Sequence, residues 1–327
     1  MLTLDLRNSC LTSFDFSKEL LLSLFTIAGK IKILDSDESG RKMLNNTLSH
    51  IRASLFFNQP STRTFISFAN SCHLLGIKFS DIRDILSSSV KKGESFSDTI
   101  HTLSQYTDLI IMRNSDENAA KQASDITLKN NVKLINAGSG MDQHPTQALL
   151  DIYTIQDNFQ NSGGIDDKTI LIAGDLKRGR APRSLIYILK NYNVNLILAS
   201  PDELKPEADI IKFLNECENL NYTSAFNISE SLKDADVIYM TRMQDEYDKD
   251  KESIKINYEP FKLKFADLAK IKKHAIIMHP LPRRDEIEVG IDNDSRAKYW
   301  EQEKNGMYVR AALIAYMFNA EAQILNY

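Results

Sequence analysis

Short runs of aliphatic and β-branched residues alternate along the chain with segments whose apolar residues recur at helical spacing. Such runs are typical of buried strands, and the segments between them are typical of amphipathic helices. Strands are predicted at Ala53–Phe57, Leu109–Arg113, Lys133–Ala137, Thr169–Ala173, Asn195–Ala199, Val237–Thr241 and Ala275–Met278. Helices are predicted at Ser95–Tyr106, Thr146–Asn158, Pro201–Asn221 and, as one long closing helix, Ala297–Tyr327. This alternation predicts an α/β protein with doubly wound parallel sheets, covered by helices on both faces.

The chain is too long for one compact core, because its 327 residues exceed the usual domain size of roughly 100–200 residues. A polar, glycine-containing stretch at 158–167 is the strongest break in the pattern, and it separates two α/β halves. The apolar stretch Leu20–Ile33 is interrupted by Lys30 and Lys32. It is too short and too polar to span a bilayer, so it is predicted to be a buried helix.

Composition excludes several classes of function. The formal net charge is -4, so the chain carries no general basic field that would collect nucleic acid. The three cysteines, Cys10, Cys72 and Cys217, are widely spaced and form no Cys-x-x-Cys pair. Neither a disulfide framework nor a zinc site is indicated, and a reducing, cytoplasmic compartment fits.

Polar residues follow most of the predicted strands, where ligands bind in open parallel sheets. Ser61-Thr62-Arg63-Thr64 stands where a strand turns into a helix N-terminus. Hydroxyl donors, a guanidinium and the positive end of a helix dipole together favour an anion such as phosphate. An ordinary helix cap is the alternative, and in isolation the commoner one.

Two further segments of the first half carry candidate chemistry. His144 precedes Pro145 at the start of a helix, where a donated hydrogen bond from its ring would polarise a carbonyl; a capping histidine is an even alternative. The loop at 88–94 offers Lys91 and Lys92 to a phosphate, and its alternative is a solvated surface loop.

In the second half, the basic turn at 174–180 follows a strand but lacks the Gly-x-Gly-x-x-Gly spacing of a dinucleotide site. Arg180 is therefore predicted to be a carboxylate or phosphate ligand. Arg242 and Gln244 lie two residues apart and suit a carboxylate. In the segment 279–282, the prolines stiffen the loop and leave carbonyls available to a substrate amine, with a plain rigid turn as the alternative.

Taken in order, these segments closely resemble the catalytic chains of aspartate carbamoyltransferases over nearly the whole chain. The matching segments are Phe57 with Pro60-Ser61-Thr62-Arg63-Thr64, Lys92-Gly93-Glu94, Met112-Arg113, Asn136-Ala137-Gly138, Gln143 to Asp151, Gly174-Asp175-Leu176-Lys177 with Gly179-Arg180, Tyr239-Met240-Thr241-Arg242 with Gln244, His279 to Arg283 with Asp285-Glu286-Ile287, and Asn305-Gly306-Met307-Tyr308.

The resemblance implies a carbamoyl-phosphate domain at 1–150, to which a helix at 298–327 returns, and an aspartate domain at 151–297. It implies transfer of a carbamoyl group to L-aspartate for pyrimidine biosynthesis, without metal or cofactor, by a cytoplasmic homotrimer whose active sites are shared between subunits. Regulatory chains are a further partner that it allows, and no nucleic acid or membrane partner is implied.

The resemblance also assigns roles residue by residue. Carbamoyl phosphate would be held by Ser61, Thr62, Arg63, Thr64 and Arg113, with Ser88 and Lys92 entering from the adjacent chain. Thr64, Arg113 and His144 would polarise the carbamoyl oxygen, and Gln147 with the Pro280 and Leu281 carbonyls would surround the amide nitrogen. The aspartate carboxylates would be bound by Arg180, Arg242 and Gln244.

Two segments on the aspartate side depart from the family pattern. Ala181-Pro182-Arg183 stands where Thr-Val-His is usual, and Asp245-Glu246-Tyr247 stands where Lys-Glu-Arg is usual. These changes bear on aspartate affinity and domain closure more than on carbamoyl-phosphate binding.

Three other functions compete with this interpretation. A transcarbamylase for another amine, such as ornithine, is disfavoured because Pro280 stands where a cysteine is typical of that branch and because no Ser-Met-Gly motif occurs. A catalytically weak structural homologue is disfavoured by the retained Ser61–Thr64 segment with Lys92, Arg113 and His144, although the altered aspartate-side segments keep this alternative open. A dehydrogenase is disfavoured by the missing glycine fingerprint.

Overall fold

The computed structural model describes residues 6–83, 93–140, 143–244 and 256–327. The chain divides into two compact units, the first comprising Met1–Leu150 with Lys304–Tyr327 and the second comprising Asp151–Glu303. The sequence placed the return to the first domain at residue 298, whereas the first unit resumes at Lys304.

The first unit is built around a five-stranded sheet in the order β1-β5-β4-β2-β3, in which all neighbouring strands are parallel. Its strands are β1 (Ser9–Cys10), β2 (Arg52–Phe57), β3 (Lys78–Ile82), β4 (Leu109–Asn114) and β5 (Lys133–Ser139). Its helices are α1 (Lys18–Leu34), α2 (Glu38–Thr47), α3 (Thr62–Leu74), α4 (Phe96–Tyr106) and α5 (Ala119–Lys129). The central strands β4 and β2 are buried along nearly their whole length, as a sheet covered on both faces requires.

The second unit contains the parallel sheet β10-β9-β6-β7-β8. Its strands are β6 (Thr169–Ala173), β7 (Val194–Ala199), β8 (Leu220–Ala225), β9 (Val237–Met240) and β10 (Ile276–Met278). Its own helices are α7 (Arg180–Leu189) and α8 (Ala208–Glu216). The division between the units falls inside α6 (Pro145–Phe159) and α9 (Tyr299–Met317), and the short α10 (Glu321–Leu325) follows in the first unit.

The predicted fold class is confirmed, since each unit is a parallel α/β sheet and the C-terminal segment packs within the first unit. The prediction of one helix over Ala297–Tyr327 is wrong. Asn319 adopts a left-handed conformation with φ 56° and ends α9. The Asn319 and Ala320 N–H groups donate to the carbonyls of Tyr316 and Ala315, at 3.1 and 2.9 Å, which is the Schellman arrangement of a helix end.

The prediction of a helix over Pro201–Asn221 is also too long. The segment contains a 3₁₀ turn at Asp202–Leu204 and then α8, which ends at Glu216, and the edge strand β8 begins at Leu220.

Candidate functional site

In the first unit, three neighbouring strands bring the predicted residues to one edge of the sheet. The carboxyl end of β2 leads into Ser61–Thr64, β4 ends with Arg113, and the chain after β5 leads to His144. The ends of β2 and β4 are tied directly, because the Asn58 N–H donates to the Arg113 carbonyl at 2.8 Å.

The Ser61–Thr64 segment forms the N-terminus of α3. Ser61 is the extended residue that precedes the helix, but its side chain makes no capping hydrogen bond to it. Thr62 and Arg63 are exposed, whereas Thr64 points inward and is 7% exposed. The ordinary capping role that was the alternative for this serine is therefore not what the structure contains.

Arg113 is a buried cation at the end of β4, only 7% exposed. The pairing of β4 with β5 shifts register between Met112 and Asn114, so Arg113 lies in a bulge. A bulge re-aims a side chain relative to the regular alternation of a strand. The Arg113 Nη1 donates to the Ala137 carbonyl at 3.3 Å, which anchors the guanidinium beside the end of β5.

The end of β5 is organised by Asn136. Its Nδ2 donates to the Leu11 carbonyl at 2.9 Å and to Ser139 Oγ at 3.1 Å, while its Oδ1 accepts from the Gly138 N–H at 2.9 Å. Gly138 has φ 121°, a conformation that other residues rarely adopt. The Asn136-Ala137-Gly138 motif thus shapes the last residues of β5, after which the chain continues to His144.

His144 lies immediately before α6, and its backbone carbonyl accepts from the N–H groups of Gln147 and Ala148 at 2.9 and 3.2 Å. Its ring is buried, and its Nε2 is 3.5 Å from Thr64 Oγ1, at the long limit of a hydrogen bond. The structure therefore brings together Thr64 and His144, which are distant in sequence, with the buried Gln147 one helical turn further on.

Sequence reasoning missed Arg310, which is 2% exposed. Its Nη1 donates to Ser67 Oγ at 2.6 Å, its Nε lies 3.5 Å from Thr146 Oγ1, and its guanidinium is 5.0 Å from the centre of the Phe68 ring. A Cβ at Gly306 would come within 2.9 Å of the Arg310 Nη1, so the glycine of the Asn305–Tyr308 motif makes room for this cation. The sequence did contain one indication of this residue, because Arg310 is a single charged residue in the apolar run that follows Tyr308.

The second unit repeats the arrangement at its own sheet edge. The neighbouring strands β10, β9 and β6 lead into the segments that carry Pro280 and Leu281, Arg242 and Gln244, and Arg180. All five of these residues are half-buried.

The buried Asp175 connects two of these segments. Its carboxylate accepts from the Arg178 N–H at 3.0 Å and Nε at 2.9 Å, and from the Gln244 N–H at 3.1 Å. The Arg242 Nη1 donates to the Met243 carbonyl at 3.0 Å. The conformation of the chain after β9 is therefore set partly by the turn after β6.

Arg183, the departure from the family pattern, is a packing residue. Its guanidinium forms ion pairs with Asp209 and with Glu207, the latter at 2.7 Å, and lies 3.3 Å from the Tyr187 hydroxyl. Burial raises the pKa of Asp209, but the hydrogen bond from Arg183 outweighs it and holds that pKa below its ordinary value. Arg183 thus ties α7 to the start of α8.

The loop after β10 is fixed by a buried pair. His279 Nε2 lies 2.7 Å from Glu286 Oε1, and the Leu281 N–H donates to His279 Nδ1 at 2.8 Å. Burial lowers the pKa of His279, although Glu286 opposes this shift. Burial raises the pKa of Glu286, but the hydrogen bond from His279 holds it below its ordinary value. A lowered pKa leaves the His279 imidazole neutral, and a lowered pKa leaves Glu286 ionised, so the pair is a neutral imidazole beside a carboxylate.

Ser88, Lys91, Lys92 and the 245–247 segment lie outside the described residues. Within the described ranges, no group of three or more His, Cys, Asp or Glu side chains is arranged to hold a metal ion. None of the helices in that part of the chain combines the length and the apolar character that crossing a membrane requires.

Two family models match the chain. The model described as aspartate/ornithine carbamoyltransferase, carbamoyl-P binding domain, matches residues 8–157, and that described as aspartate/ornithine carbamoyltransferase, Asp/Orn binding domain, matches residues 166–317. The unmatched stretch between them coincides with the polar break seen in the sequence.

Individual relatives agree with the family models. The chain is 37% identical over 305 residues to the aspartate carbamoyltransferase catalytic subunit of Nitrosopumilus maritimus, covering 93% of this chain and 94% of that protein. It is 39% identical over 303 residues to the multifunctional protein CAD of Squalus acanthias, covering 92% of this chain but only 13% of that protein's length. A crystal structure of aspartate transcarbamoylase from Trypanosoma cruzi, in complex with carbamoyl phosphate and aspartate, superposes with a TM-score of 0.82 at 31% identity, covering 94% of this chain and 95% of that one.

Proposed function

This chain belongs to the aspartate/ornithine carbamoyltransferase family, and on that premise we propose that it transfers the carbamoyl group of carbamoyl phosphate to L-aspartate. The products are N-carbamoyl-L-aspartate and phosphate, in a step of pyrimidine biosynthesis. The observation that carries the proposal is the edge of the first unit's sheet, where three neighbouring strands present Thr64, Arg113 and His144.

The first unit is the carbamoyl-phosphate domain of this proposal. The N-terminus of α3, with Ser61, Thr62 and Arg63, binds the phosphate through hydroxyl donors, backbone N–H groups and a guanidinium. Thr64, Arg113 and His144 donate to the carbamoyl oxygen. Burial strengthens these interactions because screening by water is weak there.

The second unit is the aspartate domain. Arg180 and Arg242 bind the two carboxylates of L-aspartate, since a guanidinium fork matches a carboxylate, and Gln244 adds an amide donor. The Pro280 and Leu281 carbonyls accept from the amide nitrogen of the carbamoyl group, a role that Gln147 shares. Two cationic ligands favour a dicarboxylate acceptor over an amine such as ornithine.

The reaction forms one bond and breaks one. The neutral aspartate amine attacks the carbamoyl carbon, and the electron pair moves onto the carbonyl oxygen, where the three donors stabilise it. When the carbonyl reforms, the bond between the carbon and the phosphate oxygen breaks. The departing phosphate takes the proton that the amine nitrogen releases, so the protein contributes positioning and charge stabilisation.

Assembly and location complete the proposal. Three copies form a homotrimer in which Ser88 and Lys92 of an adjacent subunit complete each site, and regulatory chains are candidate partners. The free cysteines Cys10, Cys72 and Cys217 support a reducing compartment, here the cytoplasm.

The proposal is tested by incubating the purified chain with carbamoyl phosphate and L-aspartate and measuring the carbamoylated product. We expect product that depends on both substrates and forms about 10²–10³-fold more slowly in Arg113→Ala. Absence of product with aspartate or any other amine would favour the structural homologue, and the mass of the chain in solution tests the trimer.

A further inference from the structure

The loop that carries Pro280 and Leu281 has few backbone hydrogen-bond donors that could fix its conformation. Neither Pro280 nor Pro282 has an N–H group, so the Leu281 N–H is the only backbone donor between residues 280 and 282. Leu281 also adopts φ 50°, a left-handed conformation that is strained for leucine. The orientation of its backbone must therefore come from outside contacts, and its single donor has a large share in it.

The Leu281 N–H determines which tautomer the buried His279 adopts. The Leu281 N–H points to His279 Nδ1 at 2.8 Å, so Nδ1 is an acceptor and carries no proton. A neutral imidazole then has its proton on Nε2, which lies 2.7 Å from Glu286 Oε1 and donates to this carboxylate. Both side chains are almost fully buried, at 1% and 2% exposure, which leaves water little access to either contact.

The histidine is itself anchored through a chain of buried hydrogen bonds. The His279 N–H donates to Gln302 Oε1 at 2.9 Å, and Gln302 Nε2 donates to Asp151 Oδ1 at 2.7 Å. The other oxygen of Asp151 accepts from the Tyr239 hydroxyl at 2.6 Å. The position of the imidazole is thus set by α9, α6 and β9 rather than by the loop that it holds.

We infer that His279 is a positioning residue, which orients the Pro280 and Leu281 carbonyls by accepting the Leu281 N–H in the Nε2–H tautomer. The inference rests on the proposed function, in which these carbonyls receive the amide nitrogen of carbamoyl phosphate. The charged groups that act on the ring are Glu286, Arg283 and Arg242, and burial with the two arginines keeps its pKa below the ordinary value. The ring is accordingly neutral at physiological pH, as an acceptor at Nδ1 requires.

Two substitutions of His279 each keep one of the two hydrogen bonds of the ring and remove the other. His279→Asn places an amide oxygen near the position of Nδ1 and keeps the acceptor for Leu281, whereas His279→Gln places an amide nitrogen near Nε2 and keeps the donor to Glu286. We expect the glutamine variant to raise the KM for carbamoyl phosphate by about tenfold, the effect of losing one hydrogen bond in the bound state. The asparagine variant should stay within about threefold of the parent protein.

Melting temperatures of both variants provide the control. A purely structural histidine would lower both melting temperatures and leave the two KM values alike. Equal KM values, or a larger rise in the asparagine variant, would overturn the inference.

A second measurement does not depend on activity. In protein labelled with ¹⁵N-histidine, long-range proton–nitrogen spectra distinguish the two neutral tautomers and the imidazolium, and the signal that disappears in His279→Asn identifies the residue. The Nε2–H form at neutral pH is expected, and either other form would overturn the inference. Failure of the parent protein to carbamoylate aspartate would instead count against the proposed function.

Discussion

Gly174 provides a quantitative test of how the second unit holds the segments that are proposed to bind aspartate. It follows β6 with φ 127°, and its N–H donates to the Ala199 carbonyl at 2.9 Å. A Cβ added there would lie 2.2 Å from the Thr241 carbonyl oxygen, 2.4 Å from Thr241 Oγ1 and 2.6 Å from the Tyr258 hydroxyl. Gly174→Ala therefore forces the end of β9, which leads directly to Arg242, away from β6.

Two effects add in this variant. An alanine in a backbone conformation that favours glycine costs about 1–3 kcal/mol, and forcing a methyl group into a packed region costs about 1–3 kcal/mol more. The expected loss of unfolding free energy is their sum, about 2–6 kcal/mol. Gly163 is the matched control in the same unit, since it has φ 90° but no atom within 4 Å of an added Cβ. Gly163→Ala should show only the backbone effect.

The assay is urea unfolding of both variants, followed by circular dichroism, together with the KM for aspartate. We expect Gly174→Ala to be less stable than Gly163→Ala by at least about 1 kcal/mol, the lower bound of the packing effect. We also expect it alone to raise the KM for aspartate, because Arg242 moves with Thr241. Equal stability of the two variants would show that the added Cβ is accommodated, and an unchanged KM in Gly174→Ala would show that Arg242 does not depend on this contact.

Other substitutions test individual contacts. Arg113→Ala or His144→Ala should each lower kcat by about 10²–10³-fold, the usual loss for an oxyanion donor, and near-normal turnover of both would contradict their roles. Arg183→Ala should lower the unfolding free energy by about 1 kcal/mol and leave the KM for aspartate unchanged, since its acidic partners lie at the start of α8; a raised KM would place it in the site. Arg310→Lys keeps the charge but loses the fork that reaches Ser67, so urea unfolding should report a loss of about 1–3 kcal/mol, and unchanged stability would show that the contact is dispensable.

The sequence predicted the strands in the middle of each sheet but missed β1, β3 and β8. All three are edge strands. A central strand is buried on both faces and reads as an apolar run, whereas β3 is mostly exposed and β8 is partly exposed. Their sequences, Lys-Phe-Ser-Asp-Ile and Leu-Asn-Tyr-Thr-Ser-Ala, carry no such run. β10 is an edge strand as well, but its three residues are buried and form the apolar run Ile-Ile-Met, so it was predicted. The missed strands are therefore those that are exposed, like β3 and β8, or only two residues long, like β1.

The same distinction applies to the site. Ser61–Thr64 and His144 were predictable because each follows a strand, and parallel strands deliver their carboxyl ends to one edge. The position of Arg310 could not be predicted from the sequence, because it depends on contacts with Ser67 and Thr146, which are far away in the chain. The acidic partners of Arg183 likewise lie at the start of α8, 24 and 26 residues further along the chain, so the sequence could not reveal this packing contact.

A competition experiment decides whether this chain carbamoylates L-aspartate. The purified protein is given carbamoyl phosphate with equal concentrations of L-aspartate and L-ornithine, and the carbamoylated products are separated and quantified by mass spectrometry. The two arginines at the carboxyl edge of the second sheet predict that N-carbamoyl-L-aspartate is the dominant product. Predominance of carbamoylated ornithine would contradict the account.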